Sequence, residues 1–170
     1  MYHPSKYDAH NKALENMIIK FNDTAKIVGN ELKMYSQVKE NYRDDGGIEY
    51  LATGQKVLYD FEKRHNYYNG CGGLAFKTLG QFERKILKQE IKLSIQCSTD
   101  ENCFIIAWHE DYKKEDKKYI NSATQDGRGE RNAKRFTEDF IEIKYSDMGI
   151  FYNILLNAFK EKSFNKKSFL

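Results

Sequence analysis

The sequence predicts an α+β fold in a single domain over residues 1–170, with a helix at each end and a sheet between them. Three patterns favour this class. Apolar residues recur at helical spacing near the N-terminus, several central runs have strand character, and residues 149–162 form an amphipathic stretch. Because short turns separate the central runs, we expect a mostly antiparallel sheet of about five strands.

The first predicted element is a long helix over residues 6–42, along which apolar side chains recur at steps of three and four. Gly29 marks a bend or division in this helix. Gly46 and Gly47 are expected to end it, since glycine terminates helices without a steric cost.

Strands are predicted from runs of apolar, β-branched and aromatic residues, of which Val57, Tyr59 and Phe61 alternate most clearly with polar neighbours. The five runs cover residues 48–52, 56–62, 81–87, 91–97 and 103–109. Thr53 and Gly54 form a turn between the first two strands.

The rest of the chain is predicted from composition. Residues 110–130 are polar and glycine-containing, which predicts a mobile loop. Residues 132–143 predict a short helix that leads into a strand, and residues 149–162 predict the C-terminal helix. The tail, residues 163–170, is expected to fray.

Composition excludes several classes of protein. The net charge of +3 permits nucleic-acid binding without requiring it. Three cysteines match no zinc spacing, and their odd number argues against a disulfide framework. With neither a signal peptide nor a membrane span in the sequence, we expect a soluble, reduced, cytoplasmic protein without a membrane partner.

The central hairpin carries unusual negative charge. Pairing around the Thr53–Gly54 turn would place Glu49 opposite Leu58, so that Asp45, Glu49, Asp60 and Glu62 share one face. Like charges on facing strands repel unless a cation or a base lies among them or the face is fully hydrated. Mg²⁺ is typically held by one or two carboxylates plus substrate phosphates, so one interpretation is a metal-dependent phosphate enzyme. A hydrated surface explains the acids equally well.

Basic residues lie beside these acids. Lys63, Arg64 and His65 follow Glu62 directly, and a later run supplies further bases. That run, "FERKILK", contains Arg84, Lys85 and Lys88. Basic groups beside a carboxylate–metal site are what phosphodiester cleavage needs, because they offset developing negative charge.

The stretch "DDGGIEYLATGQKVLYDFEKR" resembles the core of the PD-(D/E)XK nuclease superfamily, which includes restriction-type endonucleases. The resemblance covers about residues 10–95 and implies a restriction-endonuclease-like core. It implies that Glu49, Asp60 and Glu62 hold Mg²⁺ or Mn²⁺. The family's lysine is replaced by Glu62, so Lys85 is assigned the role of supporting base. A second alignment uses Glu90-Ile91-Lys92 with Asp60 upstream.

The remaining candidates have structural alternatives. The triplet His109, Glu110 and Asp111 either binds metal or marks where a strand leaves the core. Tyr67 and Tyr68 either stack on bases or cover a sheet edge. Cys71 lacks a partner arrangement for a nucleophile, so we interpret it as an uninvolved thiol.

The resemblance implies a metal-dependent endonuclease acting on DNA or RNA, with a homodimer as a common assembly. The residues assigned to nucleic-acid contact are Lys63, Arg64, Arg84, Lys88, Arg131 and Arg135. The alternative is a non-catalytic phage or mobile-element protein that binds a protein or nucleic-acid partner on a nuclease-like scaffold.

Overall fold

The computed structural model describes residues 4–37, 45–88, 90–114 and 134–170, and the fold is α+β as predicted. The helices are α1 (Pro4–Val28), α2 (Glu83–Leu87) and α3 (Met148–Glu161). The strands are β1 (Leu32–Ser36), β2 (Gly46–Tyr50), β3 (Gln55–Lys63), β4 (Leu79–Phe82), β5 (Ile91–Cys97), β6 (Cys103–Trp108), β7 (Lys113–Lys114), β8 (Lys134–Thr137) and β9 (Ile141–Lys144).

The predicted N-terminal helix is too long. Helix α1 ends at Val28, and Asn30 follows in the left-handed region with φ 53°. Leu32, which fits the helical spacing, is instead buried in strand β1 together with Met34. A step of four residues, as from Val28 to Leu32, fits both a helix and a strand, and the turn at residues 29–30 decides between them.

The main sheet is mixed rather than mostly antiparallel. Its order is β1-β2-β3-β5-β6-β9, and β3 runs parallel to β5 while the other neighbours are antiparallel. Parallel neighbours need a crossover connection, and residues 64–90 provide it. We call these residues the crossover segment. The segment contains β4 and α2, so the strand predicted at residues 81–87 becomes a helix after Phe82.

The two faces of the main sheet are covered differently. On one face, α1 and α3 enclose the larger apolar core, which includes Tyr59 and Phe61 of β3. The other face packs a smaller apolar cluster, including Ile105 and Leu79, against the crossover segment. A second sheet in the order β4-β8-β7 belongs to this side. Even-numbered residues of β3, including Asp60, therefore face the crossover segment.

The expectations that the chain has no disulfide and that Cys71 is an uninvolved thiol are both corrected. Cys71 and Cys103 form a disulfide with their Cα atoms 5.3 Å apart, because the crossover segment folds onto the start of β6. Cys97 is the buried free thiol. Disulfides are most usual in oxidising compartments, and cytoplasmic location stays a prediction.

The C-terminal tail is docked instead of frayed. Trp108 Nε1 donates to Ser168 Oγ at 2.8 Å, and Phe164 packs edge-on against Trp108. Residues 134–137 form β8 where a helix was predicted. The predicted mobile loop lies outside the described residues from residue 115 onwards, and residues 110–114 belong to a short 3₁₀ helix and β7.

Within the described ranges, neither α1 nor any other helix combines the length and apolar character that crossing a bilayer requires.

Candidate functional site

Strand β3 extends beyond the start of β2, which leaves the backbone of Phe61 without a strand partner on that side. Two side chains fill the gap. Asp45 Oδ2 accepts from the Phe61 N–H at 2.7 Å, and His10 Nε2 lies 2.8 Å from the Phe61 carbonyl oxygen. The end of the hairpin therefore brings a carboxylate and an imidazole to Asp60's neighbour in the chain.

Asp60 is the centre of the site and is only 7% exposed. Lys85 Nζ donates to both of its carboxylate oxygens at 3.0 Å. Gln81 Nε2 donates to Asp60 Oδ2 at 3.1 Å. Both partners come from the crossover segment, Gln81 from β4 and Lys85 from α2, so the topology of the sheet creates the site.

Asp60 and Lys85 each stabilise the charged form of the other. Burial disfavours ionisation of Asp60, but the charge and hydrogen bonds of Lys85 outweigh it, and the pKa of Asp60 falls below its ordinary value. Burial likewise opposes the charge on Lys85, but Asp60 and then Glu62 raise its pKa. At neutral pH the site therefore holds a carboxylate and an ammonium.

Asp45 is the second carboxylate of the site and is partly buried. Burial, followed by the charge of Asp60, raises its pKa from 3.8 to about 6, although the Phe61 N–H and the charges of His10 and Lys85 pull the other way. A carboxylate whose pKa is raised by an adjacent carboxylate indicates two acids close enough to compete for one cation or one proton.

A polar chain continues behind Asp60. Gln81 Nε2 also donates to Ser94 Oγ at 3.0 Å, and Ser94 Oγ lies 2.8 Å from His109 Nε2. The side-chain oxygen of Gln81, Oε1, accepts from the Phe82 N–H at 3.0 Å. Burial lowers the pKa of His109 to about 4, so the imidazole is neutral at pH 7. This chain fixes the orientation of Gln81 and so of Asp60.

Glu62 lies on the more open side of the cluster. It shares the face of Asp60, two residues further along β3, and its Oε1 lies 3.2 Å from Arg64 Nη1. Its charge raises the pKa of Lys85. Asp45, Asp60 and Glu62 thus surround Lys85, and we call these four residues the Asp60 cluster.

Glu49 does not belong to the Asp60 cluster. The predicted pairing of Glu49 with Leu58 is wrong, because Glu49 pairs with Lys56 and Leu58 pairs with Gly47. Glu49 keeps the predicted face but stands four residues along β3 from Asp60, or about 13 Å at the usual rise. Its nearest base is Lys56, with Nζ 4.0 Å from Glu49 Oε1.

The glycines before Glu49 serve packing. A Cβ at Gly46 would collide with the Tyr35 carbonyl and the Tyr59 ring, and a Cβ at Gly47 would collide with the Tyr35 ring. Both glycines, predicted to end the first helix, instead begin β2 and leave room for neighbouring tyrosines.

The residues assigned to nucleic-acid contact are spread around the cluster. Arg64 pairs with Glu62, as described above. Lys63 Nζ lies 3.3 Å from Glu101, Arg135 Nη2 lies 3.4 Å from Glu83, and the Arg84 guanidinium lies 5.9 Å from the Phe82 ring centre.

Lys88 follows α2 and is partly buried, and Arg131 lies outside the described residues.

Four other sequence candidates form no hydrogen bond or salt bridge with Asp60 in the described part of the chain. Glu90 is exposed before β5, and Lys92 is exposed on β5. The Tyr68 hydroxyl is buried and donates to Glu142 at 2.7 Å, while Tyr67 is 52% exposed.

His10, Gln81 and Ser94 were missed by sequence reasoning. His10 lies on the first helix, Gln81 was assigned to a strand without a role, and Ser94 lies inside an apolar run. One signal was present for Gln81 and Ser94, since polar side chains in otherwise apolar strands need partners. Nothing in the sequence identifies which partners they meet.

The carboxylates near Asp60 are the groups that could hold a divalent cation. In the described part of the chain, no three His, Cys, Asp or Glu side chains converge tightly enough to form a ready metal cage. Asp45 and Asp60 form a pair, and Lys85 supplies the positive charge between the acids. Mg²⁺ is typically held by one or two carboxylates completed by substrate phosphate oxygens, so Asp45 and Asp60 are the residues that could hold a cation here.

Comparison with protein-family models, with curated proteins and with solved structures found no significant match. The function must therefore be inferred from the geometry of the site.

Proposed function

We propose that the protein is a metal-dependent phosphodiester hydrolase acting on DNA or RNA, with the Asp60 cluster as its active site. The observation that supports this most is the buried Asp60 carboxylate, bonded through both oxygens to Lys85 with Asp45 beside it. Buried acids and bases that shift one another's pKa are frequent at catalytic sites.

The proposal assigns each side chain a role that follows from its charge. Asp45 and Asp60 would hold Mg²⁺ or Mn²⁺ together with phosphate oxygens, and Glu62 would lie near them. When bound, the cation supplies Lewis-acid polarisation of the phosphate and activation of water. Lys85 is protonated because its pKa is raised, so it would stabilise negative charge on the phosphate instead of acting as the base predicted from the sequence.

The experiment is cleavage of supercoiled plasmid and of a single-stranded RNA with Mg²⁺, with Mn²⁺, and with a chelator. The wild type is expected to cleave one of these substrates only with metal. Asp60→Asn and Asp45→Asn are expected to lower the rate by at least about 100-fold, the usual effect of removing a catalytic electrostatic group.

Glu49→Gln separates this assignment from the one made on sequence, because it should leave the rate unchanged. Circular dichroism of every variant checks that it folds. Failure of the wild type to cleave either substrate with either ion, or cleavage by folded Asp60→Asn at the wild-type rate, would contradict the proposal.

The satisfied state of Asp60 favours a second candidate function. Its two oxygens already have three hydrogen bonds, from Lys85 and Gln81. A scaffold that only binds a protein or nucleic-acid partner would retain such a pair for stability alone. It predicts partner binding in the presence of chelator and no cleavage.

A further inference from the structure

A cleft lies next to the polar chain that ends at His109, and we call it the His109 cleft. It has a volume of about 540 Å³, which is within the range of about 300–1,000 Å³ for small-molecule sites. Its apolar wall consists of Ile86, Ile91 and Phe164. Phe164 is fixed in place by edge contacts with Trp108 and Phe159, so the wall includes a positioned aromatic ring.

The rim of the cleft is cationic overall. Lys92 and Lys162 line it with a single carboxylate, Glu110, and Lys92 Nζ stands 5.4 Å from the centre of the Phe164 ring. Among the described residues neither lysine forms a salt bridge. His109 adds no charge at neutral pH, because burial keeps it unprotonated.

The cleft also offers hydrogen bonds of both kinds. Asn165 Oδ1 accepts from the Lys167 N–H at 2.9 Å and from Ser163 Oγ at 3.2 Å, so donation by its amide N–H groups is what Asn165 can offer a ligand. Glu110 is exposed and accepts only. Nucleobases and ribose present donors as well as acceptors, whereas an acyl chain presents neither.

We propose that the His109 cleft binds a nucleoside phosphate, with its base against the apolar wall that contains Phe164 and its phosphate at Lys92 and Lys162. A planar base suits an aromatic ring. The ammonium groups of Lys92 and Lys162, which have no salt-bridge partner among the described residues, suit a phosphate. This binding site is separate from the hydrolase proposal and does not depend on it.

The single tryptophan of the chain provides the assay. Trp108 is fully buried and contacts Phe164, so its fluorescence reports on the cleft without a label. Titration of the full chain with AMP is expected to give a saturable change, with calorimetry as an independent measure. Adenosine and inorganic phosphate test the two halves of the ligand, and a short oligonucleotide with a terminal phosphate distinguishes a free nucleotide from a strand end.

The key variant is Lys92→Met/Lys162→Asn. Asparagine tolerates the left-handed φ of 52° at position 162. Charge-assisted hydrogen bonds contribute about 1.5–3 kcal/mol each, so this variant should weaken AMP binding by more than about tenfold. Lys160→Met is the matched control, since Lys160 lies two residues before Lys162 in the last turn of α3 but pairs with Glu31 and lies outside the cleft. It should bind AMP as the wild type does.

Three results would overturn the proposal: no saturable signal with AMP or the oligonucleotide, equal affinity for adenosine and AMP, or wild-type affinity in the double variant. Metal-dependent cleavage by the double variant separates the two proposals, because the cleft variants leave the Asp60 cluster intact.

Discussion

The β2–β3 hairpin carries acids at two ends of the same face, and the two ends differ in almost every physical respect. At the turn end, Glu49 and Lys56 are partly exposed and 4.0 Å apart. At the far end, Asp60 is buried and Lys85 lies 3.0 Å away. The first pair is screened by water. The second pair exists because the crossover segment covers this end of the face and carries Lys85 to Asp60.

This difference teaches that the identity of a charged residue says little about its role until its partners are known. From the sequence, Glu49 and Asp60 were both predicted to hold the metal ion. Their burial, and the residue that neutralises each, separate a surface ion pair from a candidate catalytic one.

The largest expected effect is on stability. Lys85→Met leaves Asp60 buried without its cation and should lower the free energy of unfolding by about 3–5 kcal/mol, whereas Lys56→Met should lower it by less than about 1 kcal/mol. Urea unfolding measures both. The double variant Asp60→Asn/Lys85→Met should recover much of the stability lost in Lys85→Met. Equal losses of stability in Lys85→Met and Lys56→Met would contradict the contrast between the two ends of the hairpin.

The second-largest expected effect is on the pH dependence of stability. Asp45 has a pKa of about 6 in the folded protein against an ordinary 3.8. Between these values the folded state binds more protons than the unfolded state, so the contribution of Asp45 falls as pH rises through this window, by up to about 3 kcal/mol. His109 acts oppositely, since its pKa is lowered from 6.5 to about 4. Stability therefore has to be compared between wild type and Asp45→Asn from pH 4 to 6.5.

That comparison isolates Asp45, because His109 is present in both proteins. The advantage of the wild type over Asp45→Asn should decline with rising pH. A difference that stays flat across the window would mean that Asp45 is not buried beside Asp60.

A moderate effect is expected at Gln81. Gln81→Met removes the bonds to Asp60 and Ser94 and should destabilise the protein by about 1.5–3 kcal/mol, the range for a hydrogen bond to a charged group. Gln96→Met is the matched control, because Gln96 is equally buried but bonds the neutral carbonyl of Gly80 at 3.3 Å. Thermal unfolding should show the smaller loss for Gln96→Met.

The smallest effect is expected at Glu49. Glu49→Gln removes one partner of a long, partly exposed ion pair and should change stability by about 0–1 kcal/mol. A loss comparable to that of Lys85→Met in the same urea experiment would show that the turn end also carries a buried charge.

Local patterns predicted much of the fold. The alternation in β3 identified its buried face, and the helical spacing after residue 148 identified α3. The predicted register of the hairpin was displaced by two residues, yet the face of each acid was right, because side chains in a strand repeat every two residues. The same displacement places Glu49 opposite Lys56 instead of Leu58. A shift of two residues keeps a side chain on the same face of the sheet but changes its distance from Asp60 along the strand.

The rest of the site depends on contacts between distant segments. Lys85 reaches Asp60 through a crossover that makes β3 and β5 parallel, and nothing in residues 64–90 specifies that connection locally. His10 reaches Phe61 from the first helix. The sequence suggested Lys85 as a base near the acids but assigned it to a strand, so its placement could not be predicted.

The central claim is that the Asp60 end of the hairpin, and not the Glu49 end, is the functional site. Titration of the ¹⁵N-labelled protein with Mn²⁺ in the presence of a non-cleavable oligonucleotide tests it most directly, because at low Mn²⁺ the amide signals nearest the ion broaden first and most strongly. We expect selective broadening at Asp45, Asp60, Phe61 and Lys85. Broadening centred on Glu49 and Lys56, or no selective broadening at all, would contradict the assignment.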